Sequence, residues 1–123
     1  MGNLTNLEVG SLVYNLVENI PSTISGTLSQ LVNQNCYFAE LITGNDVDPT
    51  AITEPYQPGI ISLTIGNVLG VMGAQGMGTN SVKIGELAIS KGMNTQSSQE
   101  WKQLGMNQIK SIGEKISYYQ TYT

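Results

Sequence analysis

The sequence predicts a mainly α fold: about four helices in a small bundle, one β-hairpin between the third and fourth, and an extended C-terminal arm. Three observations predict it. Apolar residues recur at steps of three and four over much of the chain. One ten-residue stretch, 81–90, alternates instead. The last six residues hold Tyr118, Tyr119 and Tyr122, half of the six tyrosines. At 123 residues the chain suits one domain, 1–123, with 113–123 as a possible docking arm.

The first stripe is Val9, Leu12, Val13, Leu16, Val17 and Ile20, spaced 3, 1, 3, 1 and 3. It describes one face of a helix over Asn6–Asn19, capped by Asn6 or Thr5. Pro21 beyond it stops the helix, since proline lacks the N–H and its ring clashes with the preceding turn. Ser22 or Thr23 then caps a second helix, to Thr43, carrying Ile24, Leu28, Leu31, Val32, Cys36, Ala39 and Ile42. Gly44-Asn45 is its stop. Its length and apolar C-terminal half make it the expected central helix. Asn45 to Pro55 shows no period and reads as a loop of turn and cap residues.

Helix three starts near Tyr56–Pro58 and carries Ile60, Ile61, Leu63, Ile65, Val68, Leu69, Val71 and Met72. Gly59, Gly66, Gly70 and Gly73 fall near one face and weaken it by roughly 1 kcal/mol each relative to alanine. Such a face admits another backbone, from this chain or from a neighbouring subunit. Gln75-Gly76-Met77-Gly78 ends the helix. In the alternating stretch, Val82 and Ile84 form one arm and Leu87 and Ile89 the other. Gly85-Glu86 suits a two-residue type II′ turn. So small a hairpin is marginal alone and must lean on helices or pair with another chain. After a polar linker, Lys91–Gln96, Ser97 and Ser98 cap helix four, with Glu100 in its first turn. Trp101, Leu104, Gln108, Ile109, Ile112 and Ile116 form its stripe, and Trp101 is most simply a core anchor. The terminal tyrosines either pack on the chain's own helices or dock onto a partner, where tyrosine is enriched. There is no internal repeat.

Composition narrows the function. Charged residues make up 11% of the chain, against roughly 25% in ordinary soluble proteins, so the surface is rich in amides, hydroxyls and glycine. Such a surface tolerates close contact with other proteins. Five lysines, no arginine and nine acids give a net charge of −4. That argues against a protein that grips nucleic acid, which needs clustered cations. It is compatible with a wall past which DNA slides. No signal peptide, myristoylation pattern or membrane span is expected: Ile60–Ala74 is too short and too polar to cross a bilayer.

No catalytic constellation emerges. Histidine, the usual general base and metal ligand, is absent. Cys36 lies on an apolar stripe and reads as an inert buried thiol; one cysteine permits no intrachain disulfide. Asp46, Asp48 and Glu54 lack the spacing of a calcium loop. Gly73-Ala74-Gln75-Gly76-Met77-Gly78 follows a helix, with no Gly-Lys-Ser/Thr after it, so it is not a phosphate loop. No cofactor, metal site or enzymatic activity is expected.

Three segments resemble a known family. They are Tyr56-Gln57-Pro58-Gly59-Ile60-Ile61-Ser62-Leu63-Thr64-Ile65, the stretch from Ser81 to Gly92, and Trp101–Met106 leading to Lys110–Tyr119. In this order they resemble the head-tail adaptor (head-completion, connector) proteins of tailed double-stranded DNA phages. The N-terminal half matches only in placing two helices before a loop. Helix three departs in its glycine content and low charge. The resemblance implies a structural virion protein in the neck, made in the host cytoplasm, forming a ring of probably twelve copies beneath the portal. DNA would pass through the channel unbound, and the far face would receive a stopper or tail-completion protein. It implies portal docking by Ile116, Tyr118, Tyr119 and Tyr122. Subunit contacts would fall on the hairpin residues Val82, Lys83, Ile84, Gly85, Glu86, Leu87 and Ile89, with lesser support for Asn45–Pro55 on the lower face. Two alternatives stand beside it: a tail-terminator or other minor virion protein, and a small regulatory module binding a partner through the glycine face of helix three.

Overall fold

The computed structural model describes residues 2–74 and 98–121, and they are mainly helical. The expected hairpin, 81–90, lies outside the described residues.

Helix α1 (Asn6–Leu16) begins at a capping box. The Glu8 amide donates to Thr5 Oγ1 (3.1 Å), and the Thr5 amide donates to Glu8 Oε1 (2.9 Å). This reciprocal pair satisfies amides that a helix start leaves open. Thr5 is therefore the cap, while Asn6 donates through Nδ2 to Asn33 Oδ1 at 2.9 Å. The helix ends at Leu16, short of the expected Asn19. Val17 is extended, and Asn19 takes a left-handed φ of 61°, a conformation asparagine tolerates better than most residues.

The expected helix over Ser22–Thr43 is two helices, α2 (Ser22–Ser25) and α3 (Leu28–Thr43). The break falls at Gly26-Thr27. Thr27 leaves helical geometry, and its hydroxyl donates to the Ile24 carbonyl at 2.8 Å. Side-chain bonding of this kind competes with the helical ladder. Helix α3 stops at Gly44, whose φ of 73° is the left-handed cap anticipated there.

The segment after Gly44 does more than turn. Leu4 and Ile52 form an antiparallel bridge, with N···O distances of 2.9 and 2.7 Å. Val47 and Ile52 are buried. Gln57 donates through Nε2 to the carbonyls of Ile52 and Gly2, tying the N-terminus to this loop.

A single 3₁₀ turn (Glu54–Tyr56) leads into α4 (Gln57–Ala74). This is the central helix, which corrects the expectation for the second helix. Every residue from Gly59 to Gly66 is buried, with no solvent face. A helix apolar all round belongs in the interior, whereas α3 keeps Gln30, Asn33, Gln34, Tyr37 and Leu41 in solvent. Where α4 meets α3, buried Asn35 donates through Nδ2 to Thr64 Oγ1 (2.9 Å) and Asn67 Oδ1 (3.0 Å). Thr64 in turn donates to the Ile60 carbonyl. A satisfied buried network of this kind holds the two helices in one register.

Helix α5 (Ser98–Thr121) runs antiparallel to α4. The glycine face of α4 is where it lies. A Cβ on Gly66 would sit 2.9 Å from the Ser98 carbonyl oxygen, and one on Gly105 would sit 2.7 Å from the Gly59 carbonyl oxygen. Only glycine admits so close a backbone approach. Ser98 is the first residue of the helix, and its hydroxyl bonds across to the Gly66 carbonyl (2.6 Å), so it is no N-cap. Trp101 and Ile109 are buried. The extended arm expected from Gly113 is not formed through Thr121: the helix continues. A Cβ on Gly113 would meet Thr43 at the end of α3 at ordinary contact distance, and isolated glycines are tolerated inside a long helix.

Candidate protein-contact surface

Cys36 is 1% exposed, and its thiol is pushed up to about 11 by desolvation, aided by the charges of Glu40 and Asp48. The thiolate is thus disfavoured at neutral pH. We expect a thiol-specific reagent at pH 8 to modify the native chain at least about a hundredfold more slowly than the urea-unfolded chain. Equal rates would mean the α3 face opens readily. The same shift lowers folding stability as pH rises from about 9 to 11, where the unfolded thiol ionises before the folded one.

The acids of the loop form no metal cage: no group of metal-ligating residues occurs among the described residues. Asp48 is held below the usual carboxylate range by the Thr50 amide and hydroxyl, which donate at 2.9 and 2.7 Å. These bonds make it a turn residue. No helix of the described residues is long and apolar enough to cross a membrane.

The outer faces of α1 and α3 carry large apolar side chains in solvent. Leu7 and Tyr14 on α1 are 67% and 52% exposed, and Tyr37 and Leu41 on α3 are 63% and 66% exposed. Leu12 and Val71 are also exposed. Of the stripe expected on α1, Val9, Val13 and Val17 are buried and Leu16 and Ile20 pack partly buried against the core, while Leu12 turns outward. Between α1 and the start of α3 runs a shallow groove of about 380 Å³, lined by Leu7, Gly10, Tyr14, Gly26 and Leu28 among others. It adjoins a second hollow, about 430 Å³, which shares Tyr14 and Asn15 and ends at Glu18 and Ile20. A Cβ on Gly10 would sit 3.4 Å from Leu28 Cβ, so α1 packs closely on the start of α3 there.

This surface is not the one the sequence pointed to. Ile116, Tyr118 and Tyr119 lie on the last turns of α5. Tyr122 and the residues Val82, Lys83, Ile84, Gly85, Glu86, Leu87 and Ile89 lie outside the described residues. The glycine face of α4 is taken by α5, so the regulatory alternative loses the surface on which it relied. A signal for the exposed set was present. Tyr37 and Leu41 are four apart on α3 and fall off the stripe of Val32, Cys36 and Ala39, as Tyr14 falls off that of α1.

Charge is divided along the chain. Residues up to Val82 include six carboxylates (Glu8, Glu18, Glu40, Asp46, Asp48 and Glu54) and no lysine, arginine or histidine. All five lysines come from Lys83 onward, against three carboxylates. Helices α1 and α3 themselves therefore carry acids, Glu8 and Glu40, and no lysine or arginine. What their outer faces offer is contact, by apolar burial and by attraction of a basic surface. No family model matches the chain, and neither the curated proteins nor the solved structures contain a match to it.

Proposed function

We propose that the chain is a structural subunit of a tailed-phage particle, a head-tail adaptor that forms a ring beneath the portal and leaves a channel for DNA. The observation that carries the reading furthest is the exposed set Leu7, Tyr14, Tyr37 and Leu41 on α1 and α3, two helices that contain no lysine or arginine. Apolar groups of that size in solvent mark surfaces that other proteins cover. The resemblance of residues 56–65, 81–92 and 101–119 to adaptors supplies the setting. The predominance of helix favours this role over a tail terminator, for which a dominant sheet is expected. In a closed ring each modest contact is repeated, so the assembly outlasts any single interface.

Sedimentation and electron microscopy of the purified chain, alone and with portal, test the proposal. Rings, or association on the portal, are the expected result. A chain that stays monomeric and ignores portal would overturn it. Deleting Tyr118 to Thr123 is expected to leave a folded protein that cannot join heads to tails. Loss of folding would instead assign those tyrosines to the core.

A further inference from the structure

We propose that the Gly26-Thr27 junction is a hinge at which α2 and α3 pass between the broken arrangement and one continuous helix over residues 22–43, re-aiming one wall of the groove beside α1. A hinge here is independent of the adaptor reading. Four observations carry it. First, the apolar stripe does not register the break. Ile24, Leu28, Val32 and Cys36 are all buried at steps of four, and the step across the break equals the two after it. A continuous helix therefore presents the same side chains to the core. Second, the backbone of the junction is already near helical. Gly26 has φ −69° and ψ −13°, and Thr27 has φ −109° and ψ 3°. Helical values are reached by rotations of less than about 50° each, without crossing a forbidden region. Third, one carbonyl holds the break. The Ile24 oxygen accepts from the Thr27 amide at 2.9 Å and from the Thr27 hydroxyl at 2.8 Å. In a continuous helix it would accept from the Leu28 amide. Fourth, α3 starts uncapped. No side chain bonds there, and the amides of Leu28, Ser29 and Gln30 have no hydrogen-bond partner among the described residues. The carbonyls of Ile24, Ser25 and Gly26 are the partners that a continuous helix would give them.

The two forms are closely balanced. Amides at a helix start bond to water, so closing three of them gains little net. Against that stand a glycine and a β-branched threonine at the junction, both poor inside a helix. The Thr27 hydroxyl also occupies the carbonyl that the helical ladder needs. Residues 17–21 lie outside both α1 and α2 and take up the movement: Val17 is extended and Asn19 left-handed. Ser25 and Gly26 on one side of the hinge, and Leu28 and Ser29 on the other, line the groove, so its wall changes shape with the switch.

Nuclear magnetic resonance of the full-length chain tests this. Gly26 and Thr27 are exposed, and a Cβ on Gly26 would meet only the Ser22 carbonyl oxygen, at 3.7 Å, so substitutions here leave the fold intact. Thr27→Val removes the hydroxyl and keeps the β-branch. Gly26→Ala combined with Thr27→Ala also raises helix propensity. Amide exchange at Leu28, Ser29 and Gln30 is expected to slow at least about tenfold in the double variant and by a smaller factor in Thr27→Val, with Thr27→Ser unchanged. The amide shifts of Ser29 and Gln30 should move along one line in the same order, because fast exchange between two states averages their shifts. Exchange in the double variant as fast as in the wild type overturns the proposal, and so do shifts that leave the line: the junction is then a fixed corner. Strong protection of the three amides in the wild-type chain overturns it too, since the helix is then already continuous. If the double variant unfolds, Thr27→Val and Thr27→Ser decide by the same measurements.

Discussion

Gly105→Ala is expected to destabilise the chain by about 3 kcal/mol, near the upper end for inserting one methyl into a packed interior. The added Cβ would lie 2.7 Å from the Gly59 carbonyl oxygen and 2.8 Å from the Leu63 amide nitrogen. These are backbone atoms of α4 and cannot rotate aside, so the two helices must part. Gly66→Ala should behave similarly, because Ser98 and Lys102 backbone atoms stand 2.9 and 3.0 Å away. Gly73→Ala is the control. No described residue lies within 4 Å of its Cβ position, and alanine's higher helix propensity should add up to about 1 kcal/mol. Urea unfolding of the three variants measures the difference. If all three shift the midpoint alike, the close crossing of α4 and α5 is not what those glycines serve.

Trp101→Ala should cost about 3–5 kcal/mol, the range for removing a fully buried aromatic side chain. Trp101→Phe should cost much less, and for a specific reason. The indole Nε1 is buried with no hydrogen-bond partner among the described residues. A buried donor without a partner costs about 1–3 kcal/mol, and phenylalanine removes that donor while retaining a ring. The smaller ring loses contact area, so the two effects offset in part. Equal losses for the two variants would show that the indole N–H is bonded in solution after all.

These two sites show how far local pattern carries. Trp101 was readable as an anchor because it opens a helical stripe with Leu104 and Ile109. The glycines of α4 were readable as a close-contact face, yet nothing in their spacing said whose backbone would fill it. The cap at Thr5 was legible to within one residue. The break at Gly26-Thr27 was not, because the apolar positions keep helical spacing straight through it, and a hydroxyl bond to Ile24 decides the matter. The bridge between Leu4 and Ile52 was invisible for a different reason. It joins two short segments, neither long enough to show alternation, across 47 residues of intervening sequence. The contact surface was legible only in part. Tyr37 and Leu41 are marked in the sequence as large side chains that leave the apolar stripe of their helix, whereas composition singles out the tyrosines near the C-terminus.

By itself the sequence determined the helical class, the stop at Gly44, a first cap at Thr5 or Asn6, the burial of Cys36 and Trp101, and a charge division that puts every lysine after Val82. Those follow from local periodicity, backbone preference and composition, which act over a few residues or none. Tertiary structure alone decided that α4 is central, that its glycines serve α5, and that Leu7, Tyr14, Tyr37 and Leu41 stay in solvent. Which face of an apolar helix is covered depends on what the rest of the chain brings against it, and that sum is taken over residues distant in sequence.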